Sequence, residues 1–542
     1  MSQEQPSESP SLFKLLCESG HPNESALAEP SGCALRFDEQ SVFWAMRNLP
    51  VEEAPKHFLA CGTTGSGKTI AIKLFLQSIA PRFKKDWKQP EQLILFDAKC
   101  DLIPMLAGMG LRYEDKNVYI LNPCDARSAV WNLGEAVQMP VMARALAALL
   151  IPEEKNSNAP FWSDSARELI YAVVIALNRI AGKKWSLRDL LCALDSLEHI
   201  KAVTASHPSA ARLAAQFLND EKHVPSVLST LASKLGRYSQ VAALWATNRT
   251  STPFSITEFL KKPGVLVLGN DPVLRDSIWP LNAILLKALV NEILRRPDTR
   301  QPAHWFVLDE FRAMERVDCI HDLLNRGRSK GASVMLGIQS IEGLMEVYGE
   351  HGANDILGLC SNKLFLRAGG YKTAEWAEKH FSKIRRVETT VTHGRGSGGS
   401  STSVQYQLQE RSLFLSSFFL DLPFPGIGKP YMAVCDVPST QQALVVRRSF
   451  DDVLSWCHKA ENVPNVVPRN KRSDQTLWPW KKKEERHFCG KPKPDAAPKN
   501  GVTAPVQKES PPQSPQQPKK DTELRNHPRP AGGDGFSPFS PA

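Results

Sequence analysis

The sequence predicts an α/β fold: a parallel-rich central sheet, covered on both faces, with an all-α domain inserted into it. Two textures predict this. Residues 57–125 and 263–450 alternate short β-rich runs with helical stretches, as a sheet closed by crossover helices requires. Residues 138–255 show helical periodicity throughout and no convincing strand. A third observation places a site: at 57–80 an apolar strand, a glycine-rich turn and a helix follow one another. A parallel sheet presents ligand-binding turns at its carboxyl edge in this way.

The elements follow in order. Residues 1–33 are polar and proline-containing and read as a flexible arm. Ala34 to Phe43 has a strand-like pattern. The predicted strands are His57–Cys61, Leu93–Asp97, Val118–Leu121, Val265–Gly269, Trp305–Asp309, Ser333–Ile338 and Lys363–Arg367. Within the helical stretch, Ala166, Leu169, Ile170, Val173, Val174, Leu177 and Ile180 recur at three- and four-residue steps and form one apolar face. The expected organisation is therefore a nucleotide-binding domain in two parts, 34–137 and 257–460, flanking an all-α domain at 138–256. Residues 461–542, rich in Pro, Lys, Ser and Gln, are expected to be a disordered basic tail, with too little apolar surface to offset ordering entropy.

Composition narrows the class. Of 542 residues, 42% are hydrophobic and 23% charged, which suits a globular protein of three or four domain-sized units. The eleven cysteines contain no C-x-x-C pair, which fits a reduced, cytosolic protein better than a disulfide framework or a zinc site. His487 and Cys489 read as a solvated pair rather than metal ligands. Apolar runs such as Leu169–Leu177 and Ala145–Ile151 fall short of the ~20 residues that a membrane span needs, and the first ten residues do not form a signal peptide. The formal net charge of +10 favours an anionic partner, although basic clusters at Arg469–Arg472 and Lys481–Lys483 place some of the excess in the tail.

The chemistry starts at Gly62-Thr63-Thr64-Gly65-Ser66-Gly67-Lys68-Thr69, which matches G-x-x-x-x-G-K-[ST] at every required position between a strand and a helix. Glycines let the backbone wrap phosphates with its N–H groups inward, beside the positive end of the helix. Lys68 is expected to reach the β- and γ-phosphates of ATP and Thr69 to hold Mg²⁺. The strand at Trp305–Leu308 ends in Asp309-Glu310. There Asp309 would bind Mg²⁺ through water and Glu310 would polarise the attacking water. Gln339 ends the next strand, thirty residues beyond Asp309, the length of a β-α-β crossover. It should therefore stand at the phosphate edge as a γ-phosphate sensor, or else serve as a turn glutamine. Arg328, late on the intervening helix, is either a solvated arginine or a finger reaching into a neighbouring subunit's site.

These residues together resemble one family, the type IV secretion coupling proteins of the TraD/TraG-like conjugation ATPase kind. The likeness runs from about Ala34 to Val453. Beyond the phosphate loop it rests on Phe96-Asp97-Ala98-Lys99, Leu121-Asn122-Pro123, Asp125-Ala126-Arg127-Ser128, Trp131-Asn132, Asp309-Glu310-Phe311, Gly327-Arg328-Ser329-Lys330-Gly331, Gly337-Ile338-Gln339-Ser340 and Tyr348-Gly349. The resemblance implies a RecA-like P-loop NTPase that works as a homohexamer, translocates DNA without sequence preference, and couples relaxase and accessory proteins to the secretion channel. It also implies that Lys68, Thr69, Asp309, Glu310, Gln339 and the trans-acting Arg328 are the catalytic set. Most relatives begin with a pair of membrane-spanning helices. None is seen before Gly62, so the expectation is either a cytoplasmic protein held at the inner membrane through a separate partner or a soluble relative with an altered task.

Candidate DNA contacts are Lys383, Arg385, Arg386 and the Gly/Ser loop Gly394–Ser401 with Arg395, which reads equally as a surface hairpin. Two alternatives to a DNA-stimulated translocase stand beside it. One is an FtsK/HerA-like pump or secretion assembly ATPase, against which the 122–132 block argues. The other is a docking platform for protein substrates that uses nucleotide only to hold its shape.

Overall fold

The computed structural model describes residues 27–28, 39–153, 160–220, 222–247, 253–381, 383–396, 399–440, 443–469 and 475–490. Its centre is a ten-stranded sheet. We number its strands β1 (Leu27–Ala28), β2 (Phe58–Cys61), β3 (Gln92–Asp97), β4 (Val118–Leu121), β5 (Gly264–Gly269), β6 (Thr299–Leu308), β7 (Lys330–Ile338), β8 (Asn362–Phe365), β9 (Pro430–Asp436) and β10 (Ala443–Ser449). The spatial order is β1-β10-β9-β8-β2-β7-β6-β3-β5-β4. From β8 to β4 every neighbouring pair is parallel; β9 pairs antiparallel with both β8 and β10. All seven predicted strands are present, with ends shifted by a few residues, chiefly because β6 and β7 extend further toward their amino ends.

The central strands are mostly apolar where both faces are covered, as parallel sheets demand. Side chains alternate between two cores. Leu59 and Cys61 of β2 face one, and Phe58 and Ala60 face the other. The second core holds helix α1 (Lys68–Ile79) and a hairpin of Ser41–Trp44 with Arg47–Pro50. Here Trp44, Phe58 and Phe75 meet edge to face, with centroids 4.8–6.0 Å apart.

Every regular element described between Leu133 and Thr247 is helical. The longest is α2 (Pro160–Ala181), whose Ala166, Leu169, Ile170, Val173, Val174 and Leu177 are all fully buried. The predicted apolar face is thus the face that packs. Short parallel strands at Val130–Trp131 and Pro253–Phe254 pair where the chain leaves and rejoins the α/β layer. Helix α3 (Arg275–Leu294) returns to the sheet. Among the described residues it is the one helix long and apolar enough to cross a membrane, but 78% of its apolar window is buried in the core.

One expectation needs correction, and two others fall largely outside the described residues. The flexible arm at 1–33 lies outside the described residues except for Leu27–Ala28, which form β1 and pair with Ala443–Leu444. Of the strand-like run Ala34–Phe43, the part before Glu39 also lies outside them, and a strand forms at Ser41–Trp44. The expectation of a structureless tail from 461 fails for residues 461–469 and 475–490. Val467 O accepts the Ala126 N–H at 2.8 Å, and Arg127 donates to the Pro464 and Asn465 carbonyls. Helix α4 (Lys482–Cys489) then docks on the inserted helices. Trp480 is buried there, stacked on Phe488 at 4.8 Å, and it donates to Asp189 at 2.9 Å. Burying two aromatic side chains of roughly 150–250 Å² each outweighs the basic composition around them.

Lys383–Gly396 pairs antiparallel with Gly399–Ser412, so Gly394–Gly396 and Gly399–Ser401 of the Gly/Ser loop lie on paired strands. The side chains of Arg385, Arg386 and Arg395, and residues 397–398, lie outside those described.

Candidate active site

The phosphate loop joins β2 to α1 and is anchored to both neighbouring strands. Gly62 N donates to Ile338 O at 3.1 Å and Thr63 N to Arg367 O at 2.9 Å. Gly65 and Gly67 take φ values of +79° and +99°, which side chains rarely adopt. Gly67 is also the residue before the helix, so the first N–H groups of α1 open toward the loop. Phe424 and Pro425 pack over Gly65 and Gly67, and Arg367 lies over the Phe424 ring at 4.7 Å.

The acidic pair sits at the carboxyl end of β6, two strands from β2 with β7 between them. Asp309 Oδ1 accepts the Glu310 N–H at 2.9 Å. Glu310 has φ +55°, a left-handed conformation for a residue with a side chain. Such strain costs ~1–3 kcal/mol and persists where the surroundings over-determine the geometry. Phe311, fully buried and stacked on Tyr348 at 5.5 Å, supplies that support.

Three side chains converge on the Glu310 carboxylate. Lys68 Nζ, itself buried, is 3.5 Å from Oε1; Lys99 Nζ is 3.3 Å from the same oxygen; Gln339 Nε2 donates to Oε2 at 2.6 Å. Burial alone would favour the neutral acid, but Lys68, Gln339 and Lys99 together hold its pKa below the usual carboxylate value. At Asp309 burial dominates and raises the pKa against the pull of Lys68. Around these groups lies a cleft of about 210 Å³ lined by the phosphate loop, Lys99, Glu310, Pro425 and Phe450.

Lys68, Glu310 and Gln339 therefore meet in one place, with Asp309 and Thr69 beside them. Arg328 does not join them. It lies in a single turn, Gly327–Ser329, before β7, whereas Gln339 follows β7 directly. Strand β7 is nine residues long. At about 3.3 Å per residue, roughly 30 Å of strand separates Arg328 from its own subunit's nucleotide edge. Within the Asn122 to Asn132 block, Asn122 and Asp125 make bracing hydrogen bonds: Asn122 braces Asn270 and the Cys124 N–H, and Asp125 holds Arg127 at 2.7 Å. Asp451 and Asp452 occupy the first turn of helix Phe450–Trp456, as their position predicts. Sequence reasoning did not single out Lys99 as a site residue. Its signal was its place just past the end of a buried apolar strand.

The residues suit a magnesium nucleotide. The two left-handed glycines form the cradle, Lys68 is a buried cation paired with the Glu310 carboxylate, and among the described residues Ser66 Oγ is buried without a hydrogen-bond partner.

Comparison with known proteins agrees with this architecture. The family described as the type IV secretion-system coupling protein DNA-binding domain matches residues 44–429. Coupling protein TraD of Escherichia coli K12 is 22% identical over 404 residues, which cover 71% of this chain and 53% of that protein. Type IV secretion system-coupling protein VirD4 of Bartonella quintana is 23% identical over 350 residues, 60% of this chain and 54% of that one. The chain thus spans about half the length of the curated relatives it matches. Among solved structures, the unbound monoclinic form of the bacterial conjugative coupling protein TrwBdeltaN70 superimposes with a TM-score of 0.59 at 19% identity, covering 80% of this chain and 92% of the other. Plasmid coupling protein TrwB in complex with ADP and Mg²⁺ gives 0.57 at 18% identity, covering 80% and 94%. These matches establish the RecA-like fold with its inserted helices, and by the family match over most of its length this chain belongs to the type IV secretion-system coupling proteins.

Proposed function

We propose that this chain is an ATPase that drives DNA, delivered with a relaxase, into a type IV secretion channel. One observation carries the enzymatic part: Lys68, Lys99 and Gln339, from three separate elements, all meet the Glu310 carboxylate at the mouth of the phosphate loop. A carboxylate so held is fixed in its ionised form beside the place where the γ-phosphate of ATP would lie. In the reaction Lys68 leaves Glu310 for the phosphates and neutralises their charge, and the loop N–H groups orient them. Glu310 takes the proton of the attacking water, and Gln339 keeps the carboxylate and that water in line. Thr69 and Asp309 would hold Mg²⁺, which would supply further charge neutralisation on the phosphate oxygens.

The position of Arg328 supports a ring, a homohexamer in the family's manner. An arginine that cannot reach its own site, yet stands exposed at the other end of β7, serves a neighbouring copy. DNA is the substrate in this reading because the matching family is described as a DNA-binding domain and the chain carries a net +10. Relaxase, accessory proteins and channel subunits are the protein partners. The working location is the cytoplasmic side of the inner membrane, reached through a membrane partner.

The test is hydrolysis by the purified chain with and without DNA. A motor gated by its substrate accelerates by an order of magnitude or more when DNA is added, and Lys68→Ala abolishes the signal. Slow hydrolysis indifferent to DNA would instead support a docking platform.

A further inference from the structure

Lys99 follows β3, and β3 lies beside β6 with Phe96 opposite Leu308. The turn that carries it is tightly specified. The Asp97 carboxylate accepts the N–H groups of Asp101 and Leu102 at 3.1 and 3.2 Å, and Cys100 takes φ +56° with its thiol on Asn270 O. This places Nζ on the cleft wall, 3.3 Å from Glu310 Oε1, where Lys68 also points. The two lysines are not equivalent. Lys68 starts α1 and has a phosphate to leave for; Lys99 comes from the opposite side of Glu310. Most exposed ion pairs contribute little. Here, however, the Glu310 side chain is only 14% exposed, so losing its last cation strands a mostly buried charge.

We propose that Lys99 is a positioning residue for Glu310: it holds Oε1 while Gln339 holds Oε2, so the carboxylate stays aimed after Lys68 has turned to the nucleotide. In this role Lys99 acts through Glu310, although its side chain is 49% exposed on the cleft wall. This inference rests on the ATPase reading of the site.

The experiment measures kcat, KM and nucleotide affinity for the unaltered chain, Lys99→Met, Lys99→Arg, Glu310→Gln and the Lys99→Met/Glu310→Gln double variant, with thermal unfolding of each. Lys99→Met should lower kcat by roughly ten- to a hundredfold, the cost of a carboxylate out of line by about 1 Å, with nucleotide affinity held within about twofold. Lys99→Arg should recover most of the loss. The double variant should be no slower than Glu310→Gln alone, because a positioning residue has nothing left to position. A nucleotide affinity that falls in step with kcat would assign Lys99 to the phosphates and overturn the proposal. Multiplying effects in the double variant, or an unchanged kcat in Lys99→Met, would overturn it equally. An unaltered chain that binds nucleotide but never hydrolyses it overturns the ATPase reading and this inference together. An active chain indifferent to Lys99→Met overturns this inference alone.

Discussion

Gly337 lies in β7 directly beside Asp309, and a single methyl group there probes the site without touching the phosphate loop. A Cβ at Gly337 would stand 2.5 Å from Asp309 Oδ1, 3.2 Å from Asp309 Cα and 3.3 Å from Ile72 Cδ1. Carbon and oxygen need more than ~3 Å, so Gly337→Ala drives the carboxylate back by roughly 0.5–1 Å. The backbone at Gly337 is ordinary extended strand, so the whole effect is steric. If Asp309 holds Mg²⁺ as proposed, a shift of that size slows turnover by up to ~10²-fold, or about 2.7 kcal/mol of transition-state stabilisation. Overpacking costs a further ~1–3 kcal/mol of folding stability. Nucleotide titration without Mg²⁺ should be unchanged, because Lys68 and the loop are untouched, while the gain in affinity on adding Mg²⁺ shrinks. Gly358→Ala is the matched control. Beyond its own helix backbone and chain neighbours, no described atom lies within 4 Å of its Cβ, and it should leave turnover intact and add ~0.4–1 kcal/mol of stability. A Gly337→Ala protein of normal stability that hydrolyses ATP at the unaltered rate would refute the placement of Asp309 at the metal.

Arg328→Ala should stop hydrolysis while each subunit still binds ATP, and mixing it with Glu310→Gln should restore part of the activity; no rescue at any ratio would count against a role between subunits. His57 is buried, its pKa lowered to about 4 by desolvation, with its Nε2 on Leu324 O and its Nδ1 accepting the Val334 N–H. Because the unfolded histidine titrates near 6.5, its stabilising contribution is complete above that pH and is lost as pH falls toward 4. That loss amounts to about 3 kcal/mol, read as the difference in denaturation free energy between the unaltered chain and His57→Gln across that window. A difference that does not change with pH would remove the premise. Trp480→Ala should release α4 and raise amide exchange over 475–490 without loosening β2 to β7, at a local cost of ~3–5 kcal/mol; exchange unchanged in that stretch would show that the docking contributes nothing.

Much of the α/β layer was legible because the physical cause was local. Buried parallel strands must be apolar on both faces, so β2, β3, β5, β6 and β7 stand out as uninterrupted runs, and the crossover from Asp309 to Gln339 has one natural length. The loop, Asp309, Glu310 and Gln339 followed from that frame. What was not legible depended on distant partners. Lys99 gains its meaning only because β3 and β6, two hundred residues apart in sequence, lie side by side. Gly337 has no local signature, since what it accommodates is a side chain on another strand. The order at 475–490 escaped composition because two aromatics outweigh a run of lysines only once a surface on the inserted helices is there to receive them. The turn residues from Asn122 to Arg127 carried the family likeness yet serve as braces, which shows that a diagnostic motif need not be a chemical one.

Residues 463–469 and 475–489 have a practical consequence. The first segment meets the sheet's outer edge at Asp125 and Arg127, and the second grips the inserted helices through Arg188 and Asp189, so together they work as a staple between parts of the chain far apart in sequence. A shortened protein ending near 460 would bare the apolar ground beneath Trp480 and invite clumping. Fluorophores, affinity handles or fusion partners belong beyond Gly490, where they leave that clasp shut.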